Sequence, residues 1–210
     1  MKFLITAGPT REALDPVRYL TNRSSGRMGY ALAGAARHEG HEVLLISGPT
    51  TLDVPAGVDF VQVESAQQMY EAVRDLIGGV DVAILCAAVA DYRPVAMAEQ
   101  KIKKNADRMT IELERTPDIL GSMRSTFGFT GKLIGFAAET QDVEAYAREK
   151  LHRKQCDMIV ANDVSRSDIG FDSRENGVML VMAGRTIPLA KDTKDQIAMR
   201  IIEHATIIRP

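Results

Sequence analysis

The chain has no tryptophan, only 5% aromatic residues and only two cysteines in 210 positions. Cys86 and Cys156 form no CxxC and have no nearby histidine pair, so neither a disulfide framework nor a zinc ribbon is available. Both lie in apolar, strand-like runs, and buried free thiols in a reducing cytosol are expected. Long apolar runs are missing: no stretch approaches the roughly 18 residues of a membrane span. The opening Met1-Lys2-Phe3-Leu4-Ile5 is too short for a signal peptide. The expectation is therefore a cytoplasmic protein with no membrane partner. A basic excess is absent too: 26 Lys and Arg face 28 Asp and Glu, giving a net charge of −2 and a pI near 6.1. That balance argues against nucleic acid as the main partner, because backbone phosphates demand positive charge. The four histidines have no metal-ligand spacing, and neither HExxH nor a dense carboxylate cluster occurs. A protein-built metal cage is not expected, and no metal ligand is assigned. A Mg²⁺ carried by phosphates would leave little trace. A dinucleotide fingerprint is lacking as well. The glycines of the first loop are Gly8, Gly26 and Gly29, not GxGxxG, and the second strand ends Ile46-Ser47-Gly48 with no acid for a ribose.

What is present is ordinary globular composition, 45% hydrophobic and 26% charged, at a length suited to one domain over 1–210. Apolar strand-like runs at 3–7, 42–47, 60–64, 82–88, 133–138 and 158–161 alternate with helical patterns at 28–37, 66–77, 117–127, 143–151 and 192–204. Strands without polar alternation, separated by helices, predict an α/β fold with a doubly wound, mostly parallel Rossmann-like sheet. Two segments depart from this: 109–114 alternates as if one face were wet, and 178–189 reads as a hairpin turning at Gly184. They are expected to form a small β appendage or interface.

Ligands of such sheets bind beyond the carboxyl ends of the strands. The segments that follow strands are 8–27, 88–104, 137–141 and 162–171. The first connection, Gly8 to Gly29, far exceeds the usual length of about 2–6 residues. Its end, Asn22-Arg23-Ser24-Ser25-Gly26-Arg27-Met28-Gly29, opens a helix. Free N–H groups there suit a phosphate, with Gly26 and Gly29 admitting an anion close to the backbone. Capping by Ser24 or Ser25, with Gly29 packing on the sheet, is the plainer alternative. After the central strand, small residues at Cys86 to Ala90 leave room for a flat base or sugar, and Asp91 could accept from ribose hydroxyls or cap a turn. Lys101-Ile102-Lys103-Lys104 is either a solvated basic face or a triphosphate contact. Lys150 and Lys154 project from one helix face. Tyr146 and Lys150 spell YxxxK, a pattern of short-chain reductases that also arises by chance in helices.

Taken in order, ITAGPTREALDPVRYLTNRSSGRMG, AAVADYRP, KIKK, GFAAET, and ANDVS followed by GFDS resemble the phosphopantothenate–cysteine ligase family, the phosphopantothenoylcysteine synthetases of coenzyme A biosynthesis. The likeness runs through essentially the whole chain. It implies CTP-dependent joining of 4′-phosphopantothenate to L-cysteine through an acyl-cytidylate, with CMP and pyrophosphate released and Mg²⁺ accompanying CTP. It also implies a homodimer, with 109–114 and the nearby hairpin as interface candidates. Family members are usually the C-terminal half of a bifunctional protein whose first half is a flavin-dependent decarboxylase. Because this chain begins on the ligase's first strand, a stand-alone ligase or an excised domain is expected. No flavin is expected in it, and association with a decarboxylase is possible. By matched motif, Lys101 resembles the lysine supporting cytidylate formation and Asn22 the asparagine supporting the cysteine step, with Arg18 positioning the acyl group. Ser24, Gly26, Ala87, Ala88, Asp91, Pro117, Asp118, Ile119, Leu120, Phe136, Lys150 and Lys154 match nucleotide contacts. Asn162 lies in a motif whose role the resemblance does not assign. KIKK is followed by a short Asn-Ala-Asp-Arg link, a departure that bears on loop closure. The competing readings are an NAD(P)-linked reductase of similar fold and a non-catalytic nucleotide-binding module.

Overall fold

The computed structural model describes residues 1–103, 107–163 and 175–208. Its centre is β1 (Lys2–Ala7), whose last five residues are buried. A long first connection carries two short strands, β2 (Arg11–Ala13) and β3 (Tyr19–Thr21), paired as a hairpin. Then come α1 (Arg27–His38), β4 (Glu42–Ser47), β5 (Asp59–Gln62), α2 (Ala66–Leu76) and β6 (Val82–Leu85). A second small ribbon pairs β7 (Tyr92–Pro94) with β8 (Leu113–Arg115). The chain continues through α3 (Ile119–Ser125), β9 (Lys132–Glu139), α4 (Val143–Arg153), β10 (Met158–Asp163), β11 (Glu175–Met182), β12 (Arg185–Thr193) and α5 (Lys194–Ile207).

Eight strands form one sheet in the order β12-β11-β10-β9-β6-β1-β4-β5, parallel from β10 to β5. Side chains of a strand alternate between faces, so β1 feeds two cores. Phe3, Ile5 and Ala7 pack with α1 and α5, through residues such as Leu32, Ala36, Ile201 and Ile202. Leu4 points the other way, into Met69 and Val73 of α2, Met123 of α3 and Leu151 of α4. Fully burying one such Leu, Ile or Phe contributes about 1.5–3 kcal/mol. β6 is buried at all four positions because both faces are covered, which is why its sequence shows no polar alternation. The helices have local reasons to start where they do. Ser65 caps α2 and forms a reciprocal capping box with Gln68, and the Thr193 hydroxyl accepts from the Gln196 N–H at the start of α5.

Three expectations change. The 178–189 hairpin exists and turns at Gly184, where φ is 79°. It is not an appendage, however: β11 adds antiparallel to β10 and extends the main sheet. Val178, Leu180 and Met182 join one core and Val181 the other, so burial on both faces holds the hairpin in the sheet. The 109–114 strand shortens to β8, and all three of its residues are exposed, because a two-stranded ribbon has no layer beneath it. Pro117 does not begin α3. Asp118 keeps a non-helical backbone (φ −82°, ψ 91°) and its carboxylate accepts from the Gly121 N–H, so the helix starts at Ile119. Among the described residues no helix is long and apolar enough to cross a membrane.

At the start of α1, a Cβ on Gly29 would lie 2.5 Å from the Ala7 Cβ, whereas one on Gly34 would meet nothing nearer than Pro55 at 4.0 Å. Gly29→Ala should therefore destabilise by about 1–3 kcal/mol through overpacking. Gly34→Ala should stabilise by about 0.5–1 kcal/mol through helix propensity. Thermal denaturation of the two variants checks this; equal shifts would refute the packing argument.

Candidate functional site

The chain runs β1, β4, β5 in one direction across the sheet and then returns to place β6 on the other side of β1. That reversal opens a crevice at the carboxyl ends of β1 and β6. A cleft of about 800 Å³ lies there. Thr6, Leu85 and the segment after β6 contribute to it, together with the start of α1, the start of α3, the end of β9 and the far end of α4.

The floor is a backbone network. The Ala88 N–H donates to the Gly8 carbonyl at 2.9 Å, and the Ala87 N–H to the Thr6 hydroxyl at 3.2 Å. The Ala90 N–H donates to the Thr10 hydroxyl at 2.9 Å. The Asn22 carboxamide donates to the Ala88 carbonyl at 2.9 Å, which brings the first loop onto the segment that follows β6. Thr116, just before α3, donates through its hydroxyl to the Ala90 carbonyl, and its N–H donates to the Asp91 carbonyl. Three distant parts of the sequence thus meet around Ala87–Asp91.

The cleft lining carries positive charge under restraint. The Lys150 ammonium donates to the Phe136 carbonyl at 2.7 Å. Burial pulls its pKa below the ordinary lysine value, with Glu139 opposing. Lys154 is ion-paired with Asp118. Burial works to raise the Asp118 carboxyl, but the Lys154 ammonium and the Gly121 N–H outweigh it, and the pKa falls below its ordinary value. Cys86 lines the cleft as a free thiol, and burial pushes its pKa up to about 12, so it is no nucleophile near neutrality. Cys156 is also free, buried and raised by burial to about 12.

Of the residues singled out in the sequence, Asn22, Ser24, Gly26, Ala87, Ala88, Asp91, Pro117, Asp118, Ile119, Leu120, Phe136, Lys150 and Lys154 all line this cleft, as does Asn162. Arg18 and Lys101 do not. Lys101 is exposed on the segment leading away from β7, and Lys104 lies outside the described residues. So do Val164 and Ser165 of ANDVS and the whole of GFDS. The glycines behave differently from the anion-approach reading. Gly29 packs on Ala7. A Cβ on Gly26, where φ is 78°, would lie 2.7 Å from the Thr50 side chain and 3.1 Å from the Gly8 Cα. Their small size admits neighbouring protein atoms. The N-cap of α1 is Gly26, not a serine, and the Ser24 hydroxyl accepts from the Gly26 N–H at 3.3 Å. Tyr146 is outside the cleft, so the YxxxK pair does not face it together. Sequence reasoning missed Arg27, Arg115, Arg153, Asn176 and Lys194 in the lining. The last two arrive from β11 and α5, and no local pattern announces them. Among the described residues, no three His, Cys, Asp or Glu side chains gather as a metal site.

A doubly wound sheet with a cleft at its switch point, lined in part by Lys150 and Lys154, defines a ligand-binding α/β protein. The chain belongs to the DNA/pantothenate metabolism flavoprotein C-terminal domain family, whose model matches residues 1–208. It is 52% identical over 202 residues to the coenzyme A biosynthesis bifunctional protein CoaBC of Vibrio parahaemolyticus, covering 95% of this chain and 51% of that protein. It is 43% identical over 206 residues to CoaBC of Escherichia coli K12, covering 97% and 51%. The chain thus spans about half the length of the curated relatives it matches. The crystal structure of the C-terminal domain of CoaBC superimposes with a TM-score of 0.82 at 48% identity, covering 97% of this chain and 92% of that one.

The two roles of Asp118, helix cap and partner of Lys154, can be separated. Asp118→Ala should cost about 1 kcal/mol at neutral pH from the lost cap. Asp118→Asn keeps a capping oxygen and should cost less, because a half-exposed ion pair contributes about 0–1 kcal/mol. The folded carboxyl lies below its ordinary 3.8, so the ion-pair contribution is complete above that pH and is lost as the pH falls through the folded value. Melting curves from pH 7 to pH 3 should show the gap between wild type and Asp118→Asn closing in acid; a constant gap would rule the ion pair out.

Proposed function

We propose that residues 1–210 act as one cytoplasmic ligase domain. It would join 4′-phosphopantothenate to L-cysteine at the expense of CTP, releasing CMP and pyrophosphate. The observation that carries this is the meeting of Asn22, Ala87–Asp91, the start of α3, Phe136, Lys150 and Lys154 in one cleft at the sheet's switch point. These come from five separated segments of the chain and match the family's motifs in order. The relatives' role in coenzyme A biosynthesis supports the same reading.

A carboxylate is a poor acyl donor, so it must first acquire a leaving group. In the first step a phosphopantothenate carboxylate oxygen bonds to the α-phosphorus of CTP, and the bond to the β-phosphate oxygen breaks to release pyrophosphate. Charge accumulates at phosphorus, and Lys101 is assigned to offset it. Mg²⁺ is assigned to the triphosphate as part of the incoming substrate, where it would neutralise phosphate oxygens. In the second step the cysteine amine bonds to the acyl carbon, CMP departs with the electron pair, and the amine gives up its proton. Asn22, anchored on the Ala88 carbonyl, is assigned to orient the acyl phosphate for that attack. Asp91 is assigned to the ribose, and Ala87, Ala88, Pro117, Ile119, Leu120 and Phe136 to the base and sugar. Lys150 and Lys154 are assigned to phosphates or the base edge, and Asp118 to the nucleotide with the rest of the 117–120 stretch. Ser24 and Gly26 are assigned to a phosphate at the start of α1, where the N-cap Gly26 brings no side chain. Arg18 serves the acyl group through the loop it stabilises.

Pyrophosphate release should require nucleotide and phosphopantothenate together and should be greater with CTP than with ATP; amide should form only when cysteine is added. Lys101→Gln should slow pyrophosphate release by about 10²–10³-fold with the fold intact. Asn22→Asp should slow amide formation more than activation, so that acyl-cytidylate accumulates and is seen by mass spectrometry. Release without phosphopantothenate, or normal turnover by Lys101→Gln, would sink the scheme.

The dimer belongs to this proposal. Val17, Tyr19, Tyr92, Val95, Met97, Met109 and Leu113 are all exposed on or beside the β2–β3 and β7–β8 ribbons, which lie side by side. Light scattering should find two copies for the wild-type protein and one for Tyr92→Glu/Leu113→Glu. A wild-type monomer would remove the interface.

A further inference from the structure

Asp15 sits in the first loop with only 2% of its surface exposed, although nothing in the proposed chemistry uses it. A buried carboxylate is costly unless every lone pair finds a donor. Asp15 finds five. Its Oδ1 accepts from the N–H groups of Val17 and Arg18, both at 2.9 Å, which shapes the local turn. Its Oδ2 accepts from the Arg18 guanidinium at 3.0 and 2.6 Å and from the Ile102 N–H at 3.1 Å. The same guanidinium donates to the Ile102 carbonyl at 3.0 Å. Both backbone groups of Ile102 are therefore held by one ion pair from a loop more than eighty residues away. Among the described residues these are the hydrogen-bond tethers of 101–103, and just upstream the Ala98 N–H donates to the Leu14 carbonyl at 3.0 Å. Lys101 itself is exposed. The ion pair holds the backbone of the residue that follows it.

We propose that Asp15 is a positioning residue for the activation step: through Arg18 it clasps the Ile102 peptide and so aims Lys101 at the cleft. The proposal rests on the ligase reading above, in which Lys101 meets the developing phosphorus charge. The two carboxylate oxygens divide the work, one keeping the local turn and the other crossing to Ile102. Arg18, assigned above to the acyl group, thereby also holds the lysine segment. The guanidinium suits this use, because its fork can engage a carboxylate and a carbonyl in one plane.

Two variants break the clasp at different atoms. Asp15→Asn can keep an oxygen for the turn but turns an amide N–H₂ toward the Arg18 and Ile102 donors. Ile102→Pro removes the Ile102 N–H and leaves Asp15–Arg18 in place, in a segment without regular secondary structure, so it stays informative if Asp15→Asn folds poorly. Each should lower kcat for pyrophosphate release by about 10²-fold, the scale expected for a displaced catalytic group, while the KM for CTP stays nearly constant. The decisive measurement is a double-variant cycle on Lys101→Gln. With Lys101 already removed, Asp15→Asn should cause no further loss. Losses that multiply would show that Asp15 acts elsewhere and overturn the proposal, as would full activity in Asp15→Asn and Ile102→Pro, or a raised KM with unchanged kcat. A fully active Lys101→Gln enzyme is a different failure: it removes the ligase role of Lys101, and the clasp loses its purpose with it.

Discussion

The site depends on how closely backbone approaches backbone at the carboxyl end of β1. There, Gly8 turns under Gly48, Gly26 lies against Gly8, and Gly29 rests on Ala7. A Cβ on Gly48 would fall 1.8 Å from the Pro9 carbonyl oxygen, so no other residue fits without moving the loop. This contact sets the start of α1 against the tip of β1. It also lets the first loop run on to reach Ala88, and it brings Asn22 to the floor of the cleft. The small residues at this corner let protein segments pack closely, and Gly26 and Gly29 also line the cleft.

Charge in the cleft follows a second constraint. Lys150 and Lys154 are both partly buried, and an ammonium out of water needs acceptors. The protein supplies them from the Phe136 carbonyl and the Asp118 carboxylate. Lys101 is treated the opposite way: its head stays in water, and only its backbone neighbour is held. The near-neutral total charge therefore conceals cations of two kinds, lysines such as Lys150 and Lys154 engaged in the cleft lining and Lys101 carried on a tethered segment.

Elements with long periodic patterns were legible in the sequence. The six core strands and five helices fall where apolar runs and 3.6-residue spacing place them, with ends shifted by a few residues. The short strands β2, β3 and β7 were not, because three residues carry too little pattern to register, and of the two ribbons only β8 was announced, by the alternation at 109–114. The 178–189 hairpin was readable as a hairpin, but not as part of the main sheet. Its two-sided burial depends on β10 offering an open edge, and that is a property of the sheet. For the site, motif likeness named nearly half of the lining, while Asn176, Lys194 and Arg115 escaped notice because their neighbours in space are remote in sequence.

By itself the sequence determined the α/β alternation, the two-faced burial of the central strands and the set of polar segments that follow them. Those properties depend on residues a few positions apart, and local spacing encodes them. Only the tertiary structure decided that the glycines serve packing, that Lys101 stands outside the cleft lining while Lys150 and Lys154 line it, and that Asp15 and Arg18 hold Ile102 from across the fold. Each of these is a contact between distant segments, and the geometry of such a contact exists only once the sheet has brought its strand ends together.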